Sequence, residues 1–204
     1  MKKVILSFLI VALTMSLNAQ QQGKIRVGLD LGLGLPNAGA GFDGGIDLRY
    51  NIMDNLNVGL KLNGAILLKD LNQNLSTNTT SVTACVMSSS LATSDYYFNN
   101  GNSIFAPFLG AGLGFYDIAN INVSATGTTE PTPPTNTSVF KTENKFGGLV
   151  RGGFELGHFR MALEYYLVPQ STLVDINNSP IGLSNNSYLN LTLGFYFGGG
   201  HWKK

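Results

Sequence analysis

The chain has 204 residues, enough for one domain, with 44% hydrophobic residues, only 12% charged residues and 25 glycines. A soluble domain normally carries about 25% charged residues, largely on its surface, so this composition argues against one. The net charge of +1 comes without a basic cluster, which leaves nucleic-acid binding nothing to rest on, and the single cysteine, Cys85, excludes an internal disulfide.

Residues 1–19 read as a secretory signal peptide. Lys2 and Lys3 are followed by a mostly apolar run over 4–13 and by Ala19 ahead of Gln20. The run is shorter than the ~20 residues of a membrane-spanning helix. No cysteine follows it to carry a lipid anchor. Residues 20–204 are then expected to form a single barrel domain.

The next segment sets the theme. From Ile25 every odd position is aliphatic (Ile25, Val27, Leu29, Leu31, Leu33, Leu35), and the even positions are Arg26, Gly28, Asp30, Gly32 and Gly34. A period of two predicts a β-strand with one oily and one polar face. The pattern recurs to the end of the chain. Strand two spans 42–52, with Phe42, Ile46, Leu48, Tyr50 and Ile52 opposite Asp43, Asp47 and Arg49. Strand three spans 56–68, with Leu60 and Leu62 opposite Lys61. A polar connection over 69–81 leads to strand four within 82–98. There Val82, Ala84 and Val86 alternate until Ser88, Ser89 and Ser90 blur the phase, and a bulge is expected.

An Asn-Gly turn over 99–103 precedes strand five, 104–116. Its Phe105, Leu109, Ala111, Leu113 and Phe115 oppose Gly110, Gly112 and Gly114, with Ile104 and Phe108 on the glycine face. Residues 117–144 are rich in Ser, Thr, Asn and Pro and read as a mobile excursion into water. Strand six, 145–156, sets Phe146, Val150 and Phe154 against Lys145, Arg151 and Glu155. Gly157-His158 is a two-residue turn. Strand seven, 159–168, sets Phe159, Met161, Leu163, Tyr165 and Leu167 against Arg160, Glu164 and Tyr166. After a polar connection over 169–187, strand eight, 188–198, sets Leu189, Leu191, Leu193, Phe195 and Phe197 against Asn190, Thr192 and Gly194.

Short and long connections alternate along these eight strands, so one end of the sheet has tight turns and the other carries loops. That asymmetry belongs to an eight-stranded antiparallel up-and-down transmembrane β-barrel, an all-β fold. Three observations turn its oily face outward. The interior of an eight-stranded barrel is only just filled by side chains, so the large aliphatics do not fit there. Every charge of the clear strands (Lys24, Arg26, Asp30, Asp43, Asp47, Arg49, Lys61, Lys145, Arg151, Glu155, Arg160 and Glu164) lies on the polar face. Tyr50, Phe105, Phe154, Phe159, Phe195 and Phe197 fall near the tight-turn end, and Phe42, Phe115, Phe146 and Tyr165 near the loop end, as two aromatic girdles. A soluble lipocalin-like barrel would instead crowd Leu29, Leu60 and Leu193 at the centre and expose Arg26 and Arg151.

This architecture, over 24–198, resembles the small eight-stranded outer-membrane β-barrel family of outer-membrane proteins A and X, a porin-family type of barrel. The resemblance implies an integral outer-membrane location in a Gram-negative envelope, outer-membrane lipid as surroundings and a monomeric state. The segment from Leu189 to Phe197 resembles the family's C-terminal signal for the barrel assembly machinery, although seven residues follow Phe197.

The residues offer little chemistry. His158 falls in a tight turn at the periplasmic end and His201 in the tail, and neither stands beside an outer-rim Ser or Asp. No His/Cys/Asp/Glu spacing fits a metal site. The glycine-rich 110–114 stretch opens no helix and so forms no phosphate cradle. We assign no catalytic, cofactor-binding or metal residue. Arg26, Asp30, Asp43, Asp47, Arg49, Lys61, Arg151, Glu155, Arg160 and Glu164 read as a structural ion network in the lumen. The expected role is envelope integrity, or surface contact with an extracellular partner through the loops 69–81, 117–144 and 169–187. The alternatives are a narrow channel for ions or small solutes and, behind it, a lipid-modifying enzyme.

Overall fold

The computed structural model describes residues 21–37, 39–74, 79–99, 103–126, 142–174 and 180–199. The leader expected over 1–19, the proline stretch 130–135 and His201 lie outside the described residues. Ten strands follow in order: β1 (Ile25–Pro36), β2 (Ala40–Met53), β3 (Leu56–Asn74), β4 (Thr79–Tyr97), β5 (Phe105–Thr126), β6 (Thr142–Leu156), β7 (Phe159–Leu167), β8 (Ser171–Val174), β9 (Pro180–Ser184) and β10 (Tyr188–Gly198). Each of β1–β7 pairs antiparallel with its sequence neighbour, β7 pairs with β10, and β10 closes the barrel on β1. The closing seam runs without interruption from Arg26 opposite Gly198 to Pro36 opposite Tyr188. β8 and β9 form a separate hairpin between β7 and β10.

The period of two becomes an inside and an outside. Along β1, exposed and buried residues alternate at every step. Leu29, Leu60 and Leu193 are 53%, 58% and 46% exposed, whereas Arg26 and Arg151 are 3% and 4% exposed. The lipocalin-like arrangement is therefore inverted. An apolar surface this continuous is far larger than a soluble monomer shows. The outward aromatics Tyr50, Phe105, Phe159 and Phe195 lie toward the tight-turn end, joined by Tyr96 and Phe98. Phe42, Phe115, Phe146 and Tyr165 lie toward the loop end, and Phe115 meets Phe146 edge-on at 5.5 Å. A groove of about 690 Å³ on this outer wall runs past Leu48, Val58, Leu60, Ala92 and Leu113. Of the β4 residues that line it, outward Ala92 and Ser94 are small.

Tight turns sit at one end. Asp54 and Asn55 join β2 to β3, and Gly157 and His158 join β6 to β7. Gly157 takes φ +62°, the left-handed conformation that a two-residue hairpin turn requires. Toward the other end β3, β4 and β5 reach 19, 19 and 22 residues. A tilted strand crosses hydrocarbon in about 9–11 residues, so these three continue beyond the apolar band.

Several sequence expectations need correction. β4 carries no bulge: it pairs one-to-one with β5 throughout, and the single shift against β3 falls between Lys69 and Asn72. The three serines leave the phase intact because serine fits either face of a strand, and Ser89 points inward between outward Ser88 and Ser90. The connection expected over 69–81 is mostly strand, as are both ends of the 117–144 excursion. Polar residues there read as loop, yet pairing with neighbouring strands extends the ladder. The 169–187 connection contains the β8–β9 hairpin. Ile104 is 61% exposed, ahead of β5, while Phe108 is buried as expected. Lys24 precedes β1 and is exposed, and Lys145 is only partly buried, paired with Glu143 at 2.8 Å.

Leu62 stands midway between the two girdles on β3 and is 55% exposed. Leu62→Arg is expected to lower folding stability in lipid vesicles by ~2–4 kcal/mol, the cost of a lipid-facing cation at the midplane. Denaturant titration in large vesicles reads this, and an unchanged midpoint would place Leu62 outside hydrocarbon.

Candidate functional site

The lumen is the part of the molecule where chemistry-bearing side chains converge, and the inward alternate positions of each strand build it. Among the described residues its buried charges are Arg26, Arg49, Lys61, Lys69, Arg151 and Arg160 against Asp30, Asp43, Asp47, Asp95, Glu155 and Glu164, six of each sign. A buried charge is tolerated only when paired and hydrogen-bonded, and the pairing is layered.

Nearest the tight turns, Arg26 Nη2 donates to Glu155 Oε2 at 2.7 Å. Tyr97 Oη donates to Glu155 Oε1 at 2.7 Å and accepts from Arg26 at 3.3 Å. Tyr97, Ala106, Phe108 and Ala162 form a small apolar cluster here, and the Arg160 guanidinium lies 3.9 Å above the Phe108 ring.

The next layer is centred on Asp95 and Asp47. Asp95 accepts from Arg49, from Arg151 Nε at 2.8 Å and Nη2 at 3.2 Å, and from Arg160 Nη2 at 3.3 Å. Asp47 accepts from Arg49, from Arg151 Nη1 at 3.3 Å and from Tyr196 Oη at 3.2 Å. Tyr196 Oη in turn accepts from Arg160 at 2.8 Å. Two aspartates and three arginines thus tie β2, β4, β6 and β7 together across the bore, and Tyr196 adds β10. Above them Lys61 Nζ donates to Asp30 at 3.0 Å and to both oxygens of Glu164 at 2.9 Å. Tyr166 Oη also donates to Glu164 at 2.8 Å.

Asp43 is held differently, by the amides of Asn63 at 3.1 Å and Asn190 at 2.7 Å. Toward the loops the lumen turns apolar: Leu67, Cys85, Met87, Leu91, Tyr116, Ile118, Leu149, Tyr166, Val168 and Tyr188 pack into one cluster. Within it Tyr166 and Tyr188 stack with ring centroids 4.5 Å apart and planes 6° from parallel. Above this cluster Lys69 Nζ donates to Asn186 Oδ1 at 2.9 Å.

Glycines make room for these long side chains. Asp30, Asp43 and Asp95 stand directly opposite Gly194, Gly32 and Gly110 on the neighbouring strands. A Cβ on any of these glycines would collide with the facing carboxylate. Each carboxylate leans across the slot its partner leaves.

The ten lumen residues singled out from the sequence are all buried, but they do not form one network. Arg26 with Glu155, the Asp47 layer and the Lys61 layer adjoin, while Asp43 has only amide partners among the described side chains. Sequence reasoning missed Asp95, which accepts from three arginines, and also Tyr97 and Lys69. The signal existed: continuing the phase of Ala84 and Val86 through the serines puts Asp95 and Tyr97 inside, and continuing it past Leu68 does the same for Lys69. Among the described residues no three His, Cys, Asp or Glu side chains come together as a metal site.

Comparison with solved structures matches this architecture. Neisserial surface protein A aligns with a TM-score of 0.52 at 14% identity, over 86% of this chain and 99% of that one. The chain folds as an eight-stranded outer-membrane-type barrel. The outer membrane protein OprG of Pseudomonas aeruginosa aligns with a TM-score of 0.49 at 13% identity, over 88% and 97% of the two chains. The N-terminal β-barrel domain of Pseudomonas aeruginosa OprF gives 0.48 at 13% identity, over 87% and 100%. No protein-family model and no curated protein matches the chain.

Two measurements test the site. Asp95→Asn leaves three buried guanidinium groups short of a counter-charge and is expected to cost ~3–5 kcal/mol of stability, read as a lower denaturant midpoint. Gly194→Ala meets first the Asp30 carboxylate, so it should cost less in an Asp30→Ala background, with a coupling of ~1 kcal/mol or more in a double-mutant cycle. Additive costs would reject the slot.

Proposed function

We propose that the chain is an integral barrel of a bacterial outer membrane whose lumen is a structural filling and whose activity resides in what its loops contact. The observation that carries this reading is the filled bore. Paired charges occupy its lower half and an apolar, tyrosine-rich cluster its upper half. Ion pairs that bridge six strands hold the wall rigid at a neutral net charge among the described lumen residues, which suits envelope integrity or display of the loop end. The outward apolar band supports outer-membrane lipid as the surroundings. On this reading residues 1–19 direct export, the barrel is a monomer, and the β10 pattern from Leu189 to Phe197 is what the barrel assembly machinery reads. The binding partner is extracellular and reached through the 69–81, 117–144 and 169–187 regions.

The channel reading fares worse on the same observation, since an ion would have to pass both the Asp95–arginine layer and the apolar cluster above it. Folded protein in planar bilayers is expected to show no steady unitary current. The same preparation should migrate differently on a gel before and after boiling, which establishes that the barrel is folded. Regular single-channel steps from a folded preparation would overturn the plugged-lumen reading.

A further inference from the structure

Lys69 stands apart from the other buried cations. It is 2% exposed on the inner face of β3, one residue beyond outward Leu68. Arg26, Arg49, Lys61, Arg151 and Arg160 each have a carboxylate within 4.0 Å. Among the described residues Lys69 has none. Its ammonium donates to the neutral Asn186 Oδ1 at 2.9 Å and reaches the Cys85 thiol. Asp43 pairs opposite Ala65, four residues back along β3, about 13 Å of strand.

A hydroxyl without a hydrogen-bond partner is brought to the same place. Asn186, fully buried, donates to Pro169 O and to Ser171 Oγ, both at 2.7 Å. Ser171 is paired with Ser184 in the β8–β9 ladder, and paired residues on one face hold their Cβ atoms about 4.5–5.5 Å apart. Both serines are 1% exposed, and Ser184 Oγ has no hydrogen-bond partner. The cluster therefore holds an ammonium without a counter-charge and a hydroxyl without a hydrogen-bond partner, with Asn186 already committed on both sides. Neutral acceptors would satisfy the hydrogen bonds but would leave a buried positive charge uncompensated.

We propose that a small monovalent anion, of halide or formate size, binds beneath the β8–β9 hairpin between the Lys69 ammonium and the Ser184 hydroxyl. One negative charge balances Lys69, and its lone pairs take the free N–H and O–H. Cys85, Val168 and Tyr188, all nearly fully buried alongside, limit the size. The anion joins β3 to the hairpin, so its binding fastens the hairpin over the barrel mouth.

Bromide is the probe. Refolded barrel in detergent is titrated with bromide against gluconate at constant ionic strength, and unfolding is followed by the shift between folded and boiled gel positions on heating. The expected result is a saturable rise in the unfolding midpoint that vanishes in Lys69→Met. Crystals grown in bromide should show anomalous density beside Lys69 Nζ, and formate should compete for it. Ser184→Ala, which keeps the lysine, should raise the half-saturating bromide concentration about tenfold, as expected for one lost hydrogen bond to a charged group. If Lys69→Met does not fold, Ser184→Ala and the anomalous map decide. A linear rise equal in both variants, no rise at all, or no density beside Lys69 would overturn the proposal.

Discussion

The structure depends on one constraint: in hydrocarbon every backbone N–H and C=O must find a partner within the protein. The uninterrupted seam between β1 and β10 meets it. Without that seam both strands would present unpaired edges to lipid, and the neighbouring ladders would have no reason to curve. Once the sheet is closed, each strand has only an inside and an outside. The period-two pattern then distributes side chains between lipid and lumen with no further choice.

Closure also creates the problem that the lumen resolves. A narrow cylinder has room for large side chains at only some of its adjacent inward positions. The pairing of Asp30, Asp43 and Asp95 with Gly194, Gly32 and Gly110 shows how the volume is shared. A glycine on one strand gives the neighbouring carboxylate its path toward the cations at the centre. High glycine content and buried charge are thus two sides of one packing arrangement. The equal number of buried acids and bases follows from the same confinement, since excess charge of either sign would raise the cost of burial.

The two halves of the lumen differ. Below, ion pairs bridge strands that are far apart in sequence. Above, aliphatic and tyrosine side chains pack in the manner of a soluble core, with Tyr166 on Tyr188 at its centre. The apolar upper half shows that inward does not mean polar in a barrel of this size. It means removed from lipid and filled, by whichever side chains fit.

Much of this was legible from residue order alone. Alternation at Ile25, Val27, Leu29 and Leu31 marks a strand whatever surrounds it, because side chains on an extended backbone point to opposite sides. The eight strands of the barrel wall, the inverted faces, the girdles and the inward placing of the ten lumen residues all followed from that local rule. Tertiary structure decided the rest. The phase of β4 turns Asp95 inward, but only the closed sheet brings it three arginines, from β2, β6 and β7. The lengths of β3, β4 and β5 depend on pairing with one another, so their Asn-, Ser- and Thr-rich ends read as loop until a partner strand is present. Lys69 looks like the first residue of a polar connection; the phase past Leu68 turns it inward, but only the fold sets it against Asn186. Local periodicity determines which way a residue points; which residue it meets depends on the register across the closed sheet.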